Sequence, residues 1–254
     1  MKCPGQDSRY WDGAAIFDAT CSHCGHDVEF FKDDNRRKCP NCGHPMLNPH
    51  MDFGCASYCP HAEQCLGSLP PDLLAQQQDL LIERVHMEMR KYFGPDRRRI
   101  DHATAVARYA KDILDSYEKP EAEGLNPAVV LITAYLHDIG IKNAEEKFGS
   151  SSPKYQHQEG PPVARAMLEE IKANPGLIDE VCDIISHHHT PTGEDSMNFK
   201  ALYDADLIVN LKEKHDETPL DKEKLTAILE KSFLLASGAA VAGKVFAETL
   251  GREA

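Results

Sequence analysis

The chain contains no run approaching the roughly 20 uncharged apolar residues that cross a bilayer. Its start, Met1-Lys2-Cys3-Pro4-Gly5-Gln6-Asp7, has no apolar segment of the kind that directs secretion. Both absences lead to the expectation of a cytoplasmic protein with no membrane partner. Positive charge is also scarce: 28 Lys and Arg face 41 Asp and Glu, a formal net charge of −13. A surface of that sign does not neutralise phosphates, which argues against loose binding to DNA, RNA or anionic lipid. A phosphate can still be held locally where metals supply the charge. Cysteine is nearly missing from most of the chain, since eight of the nine precede residue 66 and only Cys182 follows. No long-period repeat, low-complexity tract or run of alternating strands stands out, which excludes solenoids and leaves helices for the larger part.

What is present divides into two compositions. Residues 1–68 are rich in Cys, Gly, Pro, Asn and Asp and poor in apolar side chains, so they build a core only if metal replaces one. Gly67-Ser68-Leu69-Pro70-Pro71 breaks the chain, and the organisation expected is a cysteine-rich module over 1–68, a linker over 69–78 and a helical domain over 79–254. Asp72 is placed to cap a helix reaching Phe93, with Gly94-Pro95 as its stop. Ile100 to Tyr117 repeats apolar residues at helical spacing, and Asn126-Pro127 opens a helix leading to His137. Gly160-Pro161-Pro162 is read as the start of the next, with further helices over about 177–187, 198–213, 221–236 and 238–250.

In the first module, Cys21-Ser22-His23-Cys24-Gly25 and Cys39-Pro40-Asn41-Cys42-Gly43 are two Cys-x-x-Cys-Gly knuckles. The glycines permit the tight turn behind each thiolate pair, and four thiolates at tetrahedral corners suit zinc. Filling all four positions leaves none open for chemistry, so the site is expected to be structural. With Val28-Glu29-Phe30-Phe31 as a strand between the knuckles, the module resembles a zinc ribbon. Its six Lys or Arg against nine Asp or Glu argue against the nucleic-acid binding that such ribbons often perform. Cys3, Cys55, Cys59 and Cys65 form a second set of four, suited to another zinc or to an iron–sulfur cluster, with His50 or His61 able to replace Cys3. Buried free cysteines are the plainer alternative.

In the second, His137-Asp138-Ile139-Gly140 ends an apolar helix, where adjacent side chains about 100° apart can both reach an ion lying against that end. An imidazole and a carboxylate form a mixed N/O pair suited to manganese or iron. The pair alone means little; its weight comes from His102, His157, His187-His188-His189 and Asp204-Ala205-Asp206 elsewhere in the chain.

The order His102, His137-Asp138, Asp206 resembles the HD superfamily of metal-dependent phosphohydrolases over about residues 80–215, as do the segments Leu136–Lys142 and Ala205–Asn210. The resemblance implies an all-α HD-domain bundle behind the small ribbon-like module. It implies His102, His137, Asp138 and Asp206 as ligands of one divalent metal, with Asp204 as the alternative to Asp206 and Asn210 supporting Asp206. It also implies His157 with His187 or His188 for a second ion. The implied chemistry is attack of a metal-activated water on a phosphorylated small molecule or nucleotide, with Asp138 orienting that water or bridging two ions. Lys142, or Arg97 and Arg99, is the candidate for contacting the other phosphate oxygens. Thr190-Pro191-Thr192-Gly193-Glu194-Asp195 departs from the Gly-Tyr-Pro signature of the family's cyclic dinucleotide phosphodiesterases, so that substrate is not implied. Two other functions remain as alternatives: a redox or metal sensor that binds a phosphorylated ligand without turnover, and a nucleic-acid-binding ribbon.

Overall fold

The computed structural model describes residues 16–21, 23–31, 34, 36–49 and 71–251, without the side chains of residues 47, 71–77 and 121–122. Cys3, Cys55, Cys59 and Cys65, together with His50 and His61, lie outside the described residues. Contacts divide the chain into two units, residues 1–80 and 81–254.

The described residues between 16 and 49 form two hairpins, each turned by one cysteine knuckle. β1 (Ile16–Thr20) pairs antiparallel with β2 (Asp27–Phe31), and β3 (Arg36–Lys38) with β4 (Pro45–Leu47). In the first knuckle Cys21 N donates to His26 O at 2.8 Å and Gly25 N to Cys21 O at 2.8 Å. The second repeats this, with Cys39 N to His44 O at 2.9 Å and Gly43 N to Cys39 O at 2.8 Å. Gly25 and Gly43 sit at φ 73° and 74°, a region that side chains other than glycine's rarely enter. Among the described residues before 50, the apolar side chains buried with Cys21 and Cys39 are Val28 and Phe30, with Phe17 stacked on Phe30. The strand expected over 28–31 is β2; the other three, at three to five residues each, are too short to have left a pattern.

The described residues from 71 onward are mainly helical. α1 (Pro71–Phe93) begins inside the stretch read as a linker. It is followed by α2 (Arg97–Leu114), α3 (Pro127–Leu136), α4 (Ile141–Phe148), α5 (Pro153–Glu170), α6 (Pro175–Ile185) and α7 (Met197–Glu217). α8 (Lys222–Lys231), α9 (Ala236–Val245) and the short α10 (Ala247–Leu250) complete the unit. Side-chain caps set the starts: Asp96 accepts from Arg99 N, Asn126 from Ala128 N, Asn174 from Gly176 N and Ser196 from Phe199 N. No helix among the described residues is long and apolar enough to cross a membrane.

α3 is the centre of the bundle. Ala128, Val129, Val130, Ile132, Thr133, Ala134 and Leu136 are all buried, as befits a helix apolar on every side, and each fully buried Val, Ile or Leu contributes about 1.5–3 kcal/mol. α2, α6 and α7 pack on it. Its C-terminal end, where His137 and Asp138 follow, is therefore held from several directions.

α5 starts at Pro153, with Ser152 as its cap residue, and not at Gly160 as its Gly-Pro-Pro suggests. Proline is favoured at the first helical position, so Ser152-Pro153 is the stronger start signal. Pro161 and Pro162 remove the amides that would have bonded to the carbonyls of His157 and Gln158, yet the helix runs through them to Glu170. Packing holds it: Ala164 and Leu168 are in the core, and Gly160 lies against Gly140.

That glycine contact is close enough to fix the site. A Cβ on Gly140 would stand 2.5 Å from Gly160 N and 2.8 Å from both Gln156 O and Gly160 Cα, all backbone atoms that cannot swing aside. Gly140→Ala is therefore expected to push α5, and His157 with it, away from His137-Asp138. The expected cost is about 3 kcal/mol, the upper end for overpacking, read as a lowered denaturant midpoint. An unchanged midpoint would show that the helices separate without cost.

Candidate metal centre

Five elements bring their polar residues to one place. His102 comes from α2, His137 and Asp138 from the turn after α3, His157 from α5, His188 and His189 from the turn after α6, and Asp206 from α7. His102 Nε2 stands 3.2 Å from Asp206 Oδ1. His137 Nε2 is 3.6 Å from both Asp206 Oδ1 and Asp138 Oδ2, and His102 Nε2 is 3.9 Å from Asp138 Oδ2. Atoms bound about 2.1 Å from one ion stand about 3 to 3.5 Å apart, so these separations are close to those of a ligand shell.

Unpaired polar atoms give the stronger argument. His137 Nε2, His188 Nε2 and Asp138 Oδ1 are buried with no hydrogen-bond partner among the described residues. Each such orphan costs roughly 1–3 kcal/mol. A cation beside them would satisfy all of them, and the mixed imidazole–carboxylate donor set suits a divalent metal.

The other ring nitrogens are already engaged. His137 Nδ1 lies 2.9 Å from Ala134 O, and His188 Nδ1 lies 2.8 Å from Ile185 O. A carbonyl only accepts, so Nδ1 donates in both rings and Nε2 is left facing the cluster. Imidazoles that bind metal are commonly oriented in this way. His102 Nδ1 is bonded instead to Glu213 Oε1, at 2.9 Å.

The buried carboxylates and imidazoles of this set shift one another's titration. Burial alone would lower the pKa of His102, but its hydrogen bonds to Asp206 and Glu213, with the charge of Asp138, raise it to about 9. Burial lowers His137. Burial also pushes Asp138 and Asp206 up, yet neighbouring histidines outweigh it and hold both below the usual carboxylate range.

Beside this set lies a second one. His157, His188 and His189 bring ring nitrogens within 4.8 Å of one another, with His189 Nδ1 3.3 Å from His157 Nε2. Burial, then the neighbouring His188, lowers His189 to about 4 and also lowers His157, favouring the neutral imidazole that ligates metals. Asp138 stands between the sets, Oδ2 towards His102 and His137 and Oδ1 3.7 Å from His188 Nε2.

His187 does not join them, contrary to one of the two options read from the sequence. Its Nδ1 donates to Asp183 O at 2.8 Å, its Nε2 is 3.5 Å from Asp195, and its ring stacks on Phe199. Successive side chains in a helical turn point about 100° apart, so three consecutive histidines cannot converge on one point. His189, which the sequence reading passed over, takes the place instead.

The two aspartates of α7 also separate. Asp206 Oδ2 accepts from Asn210 Nδ2 at 2.9 Å, while Asp204 accepts from Leu234 N and Leu235 N at 2.8 Å each, just before α9. Burial pushes Asp204 up to about 7. A Cβ on Gly238 would lie 2.1 Å from Asp204 Oδ2, so that carboxylate is packed into the α9 start and faces away from the histidines.

Two of the candidate phosphate-binding cations, Lys142 and Arg99, contact other side chains. Lys142 is exposed, with Nζ 5.2 Å from the centre of the Tyr92 ring. α3 ends at Leu136 and α4, which carries Lys142 in its first turn, begins at Ile141. Arg99 binds Asp96 at 2.7 Å and Glu145 at 2.6 Å, and Arg97 is exposed in the first turn of α2.

In the first unit the knuckles bring their sulfurs together. Cys21 Sγ is 3.7 Å from Cys42 Sγ, and Cys24 Sγ 3.6 Å from Cys39 Sγ. Thiolates about 2.3 Å from one tetrahedral ion stand about 3.8 Å apart. Hydrogen bonds from Asn41 and the His26 backbone lower the Cys24 thiol to about 6, while at Cys42 the His44 backbone hydrogen bond is outweighed by burial and the neighbouring cysteines, which push that thiol up to about 12.

The family model for the HD domain matches residues 99–228, from the first turn of α2 into α8, a span that contains every histidine and aspartate of the two sets. The chain belongs to the HD-domain family. The chain is similar to a crystal structure described as a predicted HD superfamily hydrolase from an uncultured Thermotogales bacterium. That chain is 20% identical, with 68% of this chain and 87% of that one covered and a TM-score of 0.45. No functionally curated protein matches the chain.

Proposed function

We propose that the HD domain is a metal-dependent phosphohydrolase acting on a phosphorylated small molecule or nucleotide. The observation that carries this reading is the convergence of His102, His137, Asp138 and Asp206, with buried donor atoms left unpaired on His137 and Asp138. Manganese or iron suits the N/O donors, and zinc suits the four thiolates of Cys21, Cys24, Cys39 and Cys42. When bound at the HD site, a divalent cation supplies polarisation of a phosphoryl oxygen and acidifies the water that attacks it. His102, His137 and Asp206 form the first ligand set, and His157, His188 and His189 the second. Asp138, with one oxygen towards each set, is the residue placed to serve both. The ring orientations fixed by Ala134 and Ile185 keep both buried Nε2 atoms aimed inward. The protein surroundings exclude bulk water from His137 and His188, each at most 2% exposed, which strengthens the electrostatics there.

The test is phosphate release from a panel of nucleotides, cyclic nucleotides and phosphomonoesters, with manganese added or withheld. Release that requires manganese supports the proposal. Metal and a phosphorylated compound bound without any turnover would replace it with the sensor reading.

A further inference from the structure

α7 carries three polar residues along one face: Asp206, Asn210 and Glu213, four and seven positions apart in a helix of 3.6 residues per turn. The first two form a pair, Asn210 Nδ2 donating to Asp206 Oδ2 at 2.9 Å. Glu213 reaches across to α2, where its Oε1 accepts from His102 Nδ1 at 2.9 Å. His102 Nε2, on the far side of the same ring, meets Asp206 Oδ1 at 3.2 Å. One helix thus grips the His102 ring at both nitrogens, through residues two turns apart.

Glu213 makes no other hydrogen bond or ion pair among the described residues, and its side chain is 43% exposed. A contact so open to water adds little to stability. His102 also differs from His137 and His188, whose Nδ1 atoms donate to carbonyls of their own helices. Its orientation depends on a residue 111 positions along the chain.

We propose that Glu213 is a positioning residue for the metal centre: by accepting from His102 Nδ1 it fixes the ring with Nε2 aimed at the ligand cluster. The chemistry is that of a carboxylate behind a metal-bound imidazole, which sets the tautomer and makes the ring a better donor; loss of such a partner typically costs ten- to a hundredfold in metal affinity. The proposal rests on the reading of the cluster as a metal site.

Manganese binding to the full-length protein, followed by loss of the free-ion electron paramagnetic resonance signal, tests it. Oxygen and nitrogen ligands suit this ion better than the thiolates of the ribbon do. Glu213→Leu is expected to bind manganese ten- to a hundredfold more weakly with an unchanged metal-free melting midpoint. Glu213→Gln, whose amide oxygen still accepts from Nδ1, is expected to recover most of the affinity. Wild-type affinity in Glu213→Leu, an equal loss in both variants, or a lowered metal-free midpoint in Glu213→Leu would each overturn the positioning role. Failure of the wild type to bind manganese would instead overturn the metal reading itself, and is seen before any variant is compared.

Discussion

Removal of metal from the N-terminal module is expected to unfold residues 16–49. Four strands of three to five residues, in two separate hairpins, cannot hold themselves together in water. Among the described residues of 16–49, the buried apolar side chains apart from the cysteines are Val28 and Phe30, and Phe17, Ala19 and Met46 are only partly covered. Against this, a structural zinc in a small domain contributes about 10–16 kcal/mol at neutral pH, far more than two buried side chains supply. Amide hydrogen exchange before and after strong chelation reads the effect directly. Protection in β1 to β4 should disappear, whereas α2, α3 and α7, whose core contains none of the four knuckle cysteines, should keep theirs. Persistent protection in the strands after complete metal removal would show that apolar packing suffices.

Asp138→Ala is expected to lower kcat/KM on the order of a thousandfold. Its two oxygens face different histidine sets, so its loss weakens both at once. The charge stabilisation that a metal provides amounts to several kcal/mol, which corresponds to on the order of a thousandfold in rate. The variant should therefore show kcat/KM lower by about that factor on any substrate found for the wild type, together with weaker manganese binding. Activity within tenfold of wild type would remove Asp138 from the centre. Asp204→Asn makes an informative contrast, because Asp204 serves the α9 start and its loss should lower the melting midpoint before it alters the metal affinity.

Much of this was legible in the sequence where a residue's chemistry and its surroundings agree. Two Cys-x-x-Cys-Gly knuckles announce their own geometry, since glycine is needed at positive φ behind each pair. The apolar helix before His137-Asp138 and the Ala-Asp-Leu setting of Asp206 placed the HD residues on buried elements. Asparagine four residues after Asp206 was readable as a partner for the same reason. What could not be read depends on rotations and on long-range contacts. The choice among His187, His188 and His189 turns on where α6 ends, and an error of one residue rotates the answer by about 100°. The start of α5 was obscured by Gly-Pro-Pro, two prolines that packing tolerates inside a helix. Glu213 carried one usable signal, its seven-residue spacing from Asp206, but its partner lies on another helix.

The central claim is that the HD residues hold a cation, and anomalous diffraction from crystals grown with manganese addresses it most directly. The expected result is a peak bonded to His102 Nε2, His137 Nε2, Asp138 and Asp206, distinct from any metal at the four cysteines. A map with density at the cysteines alone, and none between these four side chains, would contradict it.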